Sequence, residues 1–409
     1  MAERQITDAS RRSKNSFGDA DLPPEAFNDF LESIQSAAPV AGHTHTFYRY
    51  PARFSPQFAR AAIRLFTEPG QTVLDCFSGG GTTAVESLLA GRKFVGCDVN
   101  SLARFIARVK TTPLREADIA AVEEWGRDLP NAINLWKPSI PHVGWEKYQQ
   151  NVPWWLRKLL ETALDQAQKL KKGRRVNFAR CSLLRTAQWA LDCRKDLPGA
   201  REFLVLHSRF LDSMLLAGKA FAHDMMQAGG KTSHCRILGR SAIGLENDKR
   251  LPKEWLPPRL VLTSPPYLGV HVLYHRWQVQ GRRETPAPYW LAGCRDGHGG
   301  SHYTFADRRN VNLEPYLDKL RACFTSVTKL LDENSVVVQL VAFSNPEEQL
   351  QPYLGALEDA GLTEMQLSGT AQVLSRIWRK VPNRKWYANL KLGTQASSNE
   401  LLLIHQKRR

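Results

Sequence analysis

At 409 residues and 43% hydrophobic content, the chain suffices for one large domain with an insertion, or for two domains, around a sizeable core. Its formal net charge of +16 suits a polyanionic partner, because phosphate neutralisation with counterion release dominates non-specific nucleic-acid binding, but it equally suits a solvated basic surface. No apolar stretch nears the roughly 18 residues of a membrane span, the opening MAERQITDASRRSKNSF lacks a signal-peptide core, and the seven scattered cysteines, without C-x-x-C or zinc spacing, suit a reducing cytoplasm.

Residues 1–40 are polar, with few periodic apolar positions before DFLESI, and predict a flexible N-terminal arm. HTHTFYRYPARFSP (43–56) is rich in turn formers, and PQFARAAIRLF reads as a helix capped by Ser55 and opened by Pro56. QTVLDCF (71–77) is a short buried strand, followed by the loop SGGG and the helix TTAVESLLA. RKFVGCDV (92–99) is a second strand, followed by the helix NSLARFIARVK. That order opens a doubly wound α/β domain. Cys76 and Cys97, and later Cys323, fall in apolar runs as small buried hydrophobes.

After Pro113 the periodicity is almost wholly helical to about residue 233, through READIAAVEEW, WWLRKLLETALDQAQKL and REFLVLHSRFLDSMLLAGKAFAHDMM. Between 151 and 235, fifteen Lys and Arg stand against seven Asp and Glu, with the run KLKKGRR at 169–175. These features predict a basic helical insertion. Strand character returns at CRILG (235–239) and RLVLTS (259–264). A Gly-, His- and aromatic-rich stretch to about 310 precedes the helix YLDKLRACFTSVTKLL and the strand SVVVQLVAF. The helix EQLQPYLGALEDAG and strands near 362–368, 385–391 and 400–405 complete the sheet.

DCFSGGGTTA (75–84) holds Gly79-x-Gly81-x-x-Ala84 between a strand and a helix, where glycines allow a tight turn and the helix start offers free N–H groups. Asp98 ends the next strand 17 positions after Gly81, near the spacing of a ribose-binding carboxylate. Alone, the pattern suits a dinucleotide site or a plain glycine-rich turn.

TSPPY (263–267) narrows the field. Two prolines cannot continue a central strand, so they make a stiff loop at the carboxyl edge of the sheet, where α/β proteins bind ligands. The Ser264 hydroxyl and the Pro265 carbonyl could accept from an exocyclic amino group, and Tyr267 could stack on a flipped base. The same residues would also suit a proline-terminated strand with a packed tyrosine.

Together these residues resemble the S-adenosylmethionine-dependent DNA amino-methyltransferases, which make N4-methylcytosine or N6-methyladenine. DCFSGGGTT is similar to their cofactor motif, Ser264-Pro265-Pro266-Tyr267 to their catalytic tetrapeptide, and HTHTFYRYPARFSP to the motif bordering the methionine end of the cofactor. The resemblance implies a Rossmann-like methyltransferase fold, α/β with a mostly parallel doubly wound sheet and here a basic helical insertion. It implies S-adenosyl-L-methionine held by Asp75, Phe77, Ser78, Gly79, Gly81, Thr82, Asp98, Phe54 and Pro56, and catalysis by Ser264, Pro265, Pro266 and Tyr267. The serine form is commoner among cytosine-N4 enzymes, which favours N4 of a flipped cytosine and leaves N6 of adenine open. Pro-Cys, the usual nucleophile context of cytosine-5 enzymes, is absent. An RNA amino-methyltransferase and a non-catalytic nucleic-acid-binding subunit are the alternatives.

The motif order puts the insertion between the glycine loop and the catalytic loop, whereas many serine-type members have the catalytic loop first. The expected division is therefore an arm (1–40), a cofactor-binding half (41–113), the helical insertion (114–233) as a candidate DNA reader, and a catalytic half (234–409). Lys171, Lys172, Arg174 and Arg175 are candidate phosphate contacts, against a lid or dimer surface with solvated charges. In LGVHVLYHRWQVQGRRETPAPYW (268–290), His271, Tyr274, His275, Arg276, Trp277, Arg282 and Arg283 interleave cations with aromatics, a mixture suited to bases and phosphates, or to a loop packed over the cofactor. VPNRKWYANL (381–390) is similar in character. His298 and His302 lack a third ligand, so no metal is expected. The implied partners are double-stranded DNA and a cognate restriction endonuclease, with no membrane, in a prokaryotic or phage-type cytoplasm.

Overall fold

The computed structural model describes residues 24–36, 38, 40–50, 54–138, 141–268, 276–281, 283–296, 305, 313–368, 373–374, 376–380 and 399–409. The helix α1 (Pro24–Gln35) precedes a 3-10 turn (His43–Phe47) and α2 (Pro56–Phe66). The alternation β1 (Thr72–Asp75), α3 (Thr82–Leu89), β2 (Lys93–Cys97) and α4 (Ser101–Thr111) follows. Then come the helices α5 (Glu116–Ala132), α6 (Trp154–Gln168), α7 (Gly173–Leu191) and α8 (Ala200–Gln227). The chain returns through β3 (Cys235–Leu238) and β4 (Leu260–Thr263), the small hairpin β5 (Trp277–Val279) and β6 (Arg283–Thr285), and α9 (Ala287–Ala292). It continues with α10 (Glu314–Thr328), β7 (Val336–Val341), α11 (Pro346–Asp359), β8 (Leu362–Glu364), β9 (Leu367–Ser368), β10 (Val373–Leu374), β11 (Arg376–Lys380) and β12 (Asn399–Lys407).

The main sheet runs β11-β12-β7-β4-β1-β2-β3, with β8 pairing β12. The strands from β7 to β3 are parallel, whereas β12 is antiparallel to β7 and to β11. This is a Rossmann-like, doubly wound α/β fold. Short apolar runs make such strands because both faces are covered. Val73, Leu260, Leu262, Val336, Val338, Leu402 and Ile404 point to the face packed by α1 and α2. Their neighbours Leu74, Val261, Val337, Leu401 and Leu403 point to the opposite face, with α10 and α11. A separate core joins α4, the 3-10 turn, α5–α8, β5 and α9. No described helix is long and apolar enough to cross a membrane.

Capping follows the local sequence. Ser55 accepts from the Phe58 amide at 3.1 Å with Pro56 opening α2, and Asn100 accepts from the Leu102 and Ala103 amides to start α4.

Two expectations need correction. The arm expected over 1–40 is a docked helix across 24–35, because Phe27, Phe30 and Ile34 form one apolar stripe at helical spacing and bury against α2. Near the C-terminus, strands form at 362–364, 367–368 and 399–407, while β11, unforeseen, pairs with β12; the expected strand at 385–391 lies outside the described residues.

Phe30 is fully buried between Phe58, at a centroid distance of 5.9 Å, and Phe66, at 5.7 Å. Phe30→Ala should cost about 3–5 kcal/mol in urea unfolding, the usual range for a deleted core phenylalanine. A loss below about 1 kcal/mol would return the segment to a loose arm.

Candidate functional site

The order of strands reverses between β1 and β4, which lie side by side, so the crevice at their carboxyl ends is the switch point of the sheet. Both sequence motifs emerge there. Residues 76–81 leave β1, and Ser264–Tyr267 leave β4.

Asp75, at the end of β1 and 2% exposed, joins the two loops. Its carboxylate accepts from Thr263 Oγ1 at 2.7 Å, Thr83 Oγ1 at 2.7 Å and the Phe77 amide at 3.1 Å. Burial pushes its carboxyl up to about 6 against the pull of those three donors. Because the folded chain holds this proton more tightly than the unfolded one, the extra stability is fully present below about pH 4 and is lost as pH rises through about 6.

The glycine loop is held from several sides. Gly81, at φ +79°, caps α3, and a Cβ there would stand 2.7 Å from the Ala107 methyl. A Cβ on Gly80 would meet Tyr50 at 2.8 Å, so Tyr50 lies directly on the loop. Lys110, wholly buried, donates to the Gly80 carbonyl at 3.0 Å. Asp98 accepts from the Gly79 and Asn100 amides, both at 2.8 Å; burial raises its pKa while those two bonds lower it. Around it, Ser78 Oγ and Asn100 Nδ2 are buried without a hydrogen-bond partner among the described residues. Thr82 is buried in the first turn of α3, and Phe77 is half-buried with its ring 5.6 Å from Phe305.

The segment before α2 is fastened to α3 by Glu86. His45 Nε2 lies 2.8 Å from Glu86 Oε1, and Arg60 Nε donates to Oε2 at 2.9 Å. Burial opposes the charge of Glu86, but these bonds outweigh it and lower its pKa. Phe54 and Pro56 are both buried, and the Phe54 ring packs edge-on against Phe58 at 5.5 Å, inside the core with α1. Phe54 therefore supports this segment from below, and Tyr50 is the residue that covers the loop.

On the second loop, Ser264 is half-buried and donates to Tyr267 Oη at 3.3 Å. Pro265 is buried, and the Pro266 carbonyl accepts from Tyr316 Oη at 2.5 Å. Tyr267 is 5% exposed and donates to Glu400 Oε1 at 2.8 Å.

The remaining candidates divide. Trp277 is corrected: it is 2% exposed in the helical core, with Nε1 donating to Tyr48 Oη at 3.1 Å, because the alternation of β5 turns it inward with Val279. Arg174 and Arg175 face the buried Asp118, at 3.5 Å and 2.7 Å, and Lys171 and Lys172 are exposed. Arg276 lies 3.8 Å from Glu284, and Arg283 is exposed. His271, Tyr274, His275, Arg282, His298, His302 and 381–390 lie outside the described residues. Sequence reasoning did not single out Tyr50, although it lies within the 43–56 motif, and it missed Lys110 and Glu400, whose sequence context is that of ordinary helix or strand positions. Asn100 did carry a signal, as a helix cap two residues after Asp98.

Asp75→Asn mimics the protonated carboxyl. The stability difference between wild type and variant should fall by on the order of 3 kcal/mol between pH 4 and pH 7. Urea unfolding at both pH values reads it. A pH-independent difference would mean that Asp75 titrates alike in both states.

Residues 6–107 match the family described as DNA methylase, of the N6/N4 type. Over 80 residues the chain is 34% identical to Type II methyltransferase M.MvaI of Kocuria varians, covering 19% of this chain and 18% of that protein. Over 39 residues it is 51% identical to Type II methyltransferase M1.MboII of Moraxella bovis, covering 10% and 15%. The chain thus matches less than a fifth of the length of either relative. The solved rRNA methyltransferase aviRa from Streptomyces viridochromogenes aligns over 88% of this chain and 89% of its own at 11% identity, with a TM-score of 0.34.

Proposed function

We propose that this chain, whose residues 6–107 match the N6/N4-type DNA methylases, transfers a methyl group to the N4 amino group of a flipped cytosine in double-stranded DNA. The observation that carries this reading is the hydrogen bond from Thr263 to Asp75, which ties the Ser-Pro-Pro-Tyr loop to the glycine loop at the switch point.

The residues present fit S-adenosyl-L-methionine. Gly79, in the left-handed region, leaves its loop backbone unshielded for close approach, Asp98 offers a carboxylate for ribose, and the orphaned Ser78 Oγ and Asn100 Nδ2 lie beside it in want of partners. When bound, the cofactor supplies an electrophilic methyl on a sulfonium. Phe77 and Thr82 border the same loop, whereas Phe54 and Pro56 act through the position of α2.

The chain's own work is to make a poor nucleophile reactive. The cytosine amino lone pair is delocalised into the ring. Ser264 Oγ and the Pro265 carbonyl hold its hydrogens and favour a pyramidal nitrogen, with the lone pair directed at the methyl group. As the nitrogen gains positive charge those bonds strengthen, so they stabilise the transition state more than the ground state. Tyr267, anchored through its hydroxyl, offers its ring to the base. The serine at the head of the tetrapeptide supports cytosine over adenine. A cognate restriction endonuclease and a cytoplasmic, DNA-associated setting accompany this reading.

Expression in a methylation-free host followed by nucleoside mass spectrometry should yield N4-methyldeoxycytidine. N6-methyldeoxyadenosine would overturn the cytosine assignment, and methylation confined to RNA would overturn DNA as substrate. Ser264→Ala should lower turnover by about 10²–10³-fold with cofactor affinity nearly unchanged. Full activity would remove Ser264 from the mechanism.

For the DNA surface, exposure favours Lys171 and Lys172, while Arg174 and Arg175 serve Asp118. Lys171→Gln with Lys172→Gln should weaken binding alike on all DNA sequences and flatten its salt dependence. Binding curves that overlay wild type across a salt series would exclude this face of the insertion.

A further inference from the structure

A chain of hydrogen bonds leads from the catalytic loop to the far side of the sheet. Ser264 Oγ lies 3.3 Å from Tyr267 Oη, which lies 2.8 Å from Glu400 Oε1. Glu400, wholly buried on β12, stands directly across from Arg379 on β11; Arg379 Nε donates to Oε2 at 2.7 Å and Nη2 pairs with the same oxygen. Arg379 Nη1 in turn donates to the Ile34 carbonyl at the end of α1 at 3.2 Å. An ionised carboxylate only accepts, so Tyr267 must donate to Glu400, and Ser264 donates to Tyr267. Both hydroxyls therefore point away from the site, and the Ser264 oxygen is an acceptor on its other side. Stability alone is weak grounds for a buried ion pair, because well-packed apolar residues of similar volume are often no less stabilising.

We propose that Ser264, Tyr267 and Glu400 form a proton path that drains the target amino group after methyl transfer, a proposal that rests on the methyltransferase reading above. Once the nitrogen holds its new methyl group it carries a positive charge and one N–H bond too many. That N–H bond breaks, and its electron pair stays on nitrogen and rejoins the ring. The proton passes to Ser264 Oγ as the Ser264 proton moves to Tyr267 Oη and the Tyr267 proton moves to Glu400 Oε1. Glu400 becomes neutral, and the path resets in reverse, to water, after the product leaves. A carboxylate paired with arginine is a weak base, but it suffices, since a nitrogen stripped of its ring conjugation is a strong acid. Glu400 acts through Tyr267 and never touches the base, and Arg379 positions it.

Single-turnover methyl transfer by the full chain on duplex DNA, followed against pH, tests the path with two variants. Tyr267→Phe keeps the ring and breaks the relay, and Glu400→Gln keeps an acceptor and removes the base. Because the charged intermediate can give its methyl group back until the proton leaves, each should slow formation of the neutral methylated product by about 10²-fold, the low end for a lost general base, and the double variant should be no slower than either alone. In infrared difference spectra after a single turnover, wild type should show the carbonyl band of a newly protonated carboxylic acid, and Glu400→Gln should lack it. The acid limb of the wild-type rate profile should vanish in Glu400→Gln. Undiminished rates in both variants with an active wild type would overturn the path alone, as would an unchanged pH profile in a folded Glu400→Gln. Should Glu400→Gln fail to fold, Tyr267→Phe, which leaves the Glu400–Arg379 pair intact, decides by its rate. A wild type that methylates no nucleic acid would overturn the methyltransferase reading and the path with it.

Discussion

One buried carboxylate fixes the geometry on which everything else depends. Asp75 sits where the sheet reverses its strand order, and its two oxygens gather a hydroxyl from β4, a hydroxyl from α3 and an amide from the loop between. A neutral acceptor of the same size could not take three donors so strongly, because charge-assisted bonds are about twice as strong as neutral ones. The cost is desolvation, visible in a carboxyl raised to about 6. In return, the loop that would hold a nucleotide and the loop that would hold a base keep one mutual position.

The same device recurs around the crevice. Glu86 binds the 3-10 turn to α3 through His45 and α2 to α3 through Arg60, Lys110 reaches the Gly80 carbonyl, and Glu400 meets both Arg379 and Tyr267. In each case a buried charge lies on a regular element and its partner lies on a loop or a neighbouring element. Such pairs add little net stability against apolar substitutes, but they break sharply when one partner is lost. They suit positions where placement within a fraction of an ångström matters more than free energy.

The helical insertion shows the opposite allocation. Several of its cations, which by type suit nucleic acid, are used in its own folding: Arg175 and Arg174 neutralise Asp118. Trp277, on β5 after the insertion, likewise fills the core beside Tyr48. Lys171 and Lys172, on the short connection before α7, keep their exposure. A positive balance therefore belongs to the surface only after internal pairs are subtracted, and net charge cannot make that subtraction.

The sequence by itself determined the class of sheet and the place of the two loops. Short apolar runs ending in Gly-rich or Pro-Pro segments leave few structures open, and the rule is local: glycine permits the turn and proline forbids the strand from continuing. Ser55 and Asn100 marked helix starts for the same reason, since a cap is read from neighbouring residues. Tertiary structure decided what pairs across long separations. Asp75 and Thr263 are 188 residues apart, Tyr267 and Glu400 are 133 apart, and nothing local marks either pair. It also decided burial. Phe27, Phe30 and Ile34 are a faint stripe in a polar stretch until α2 offers a face to cover them, and Trp277 reads as a stacking platform until β5 turns it into a core. Composition and spacing fix what a residue can do, while the surface that reaches it in the fold decides which of those things it does.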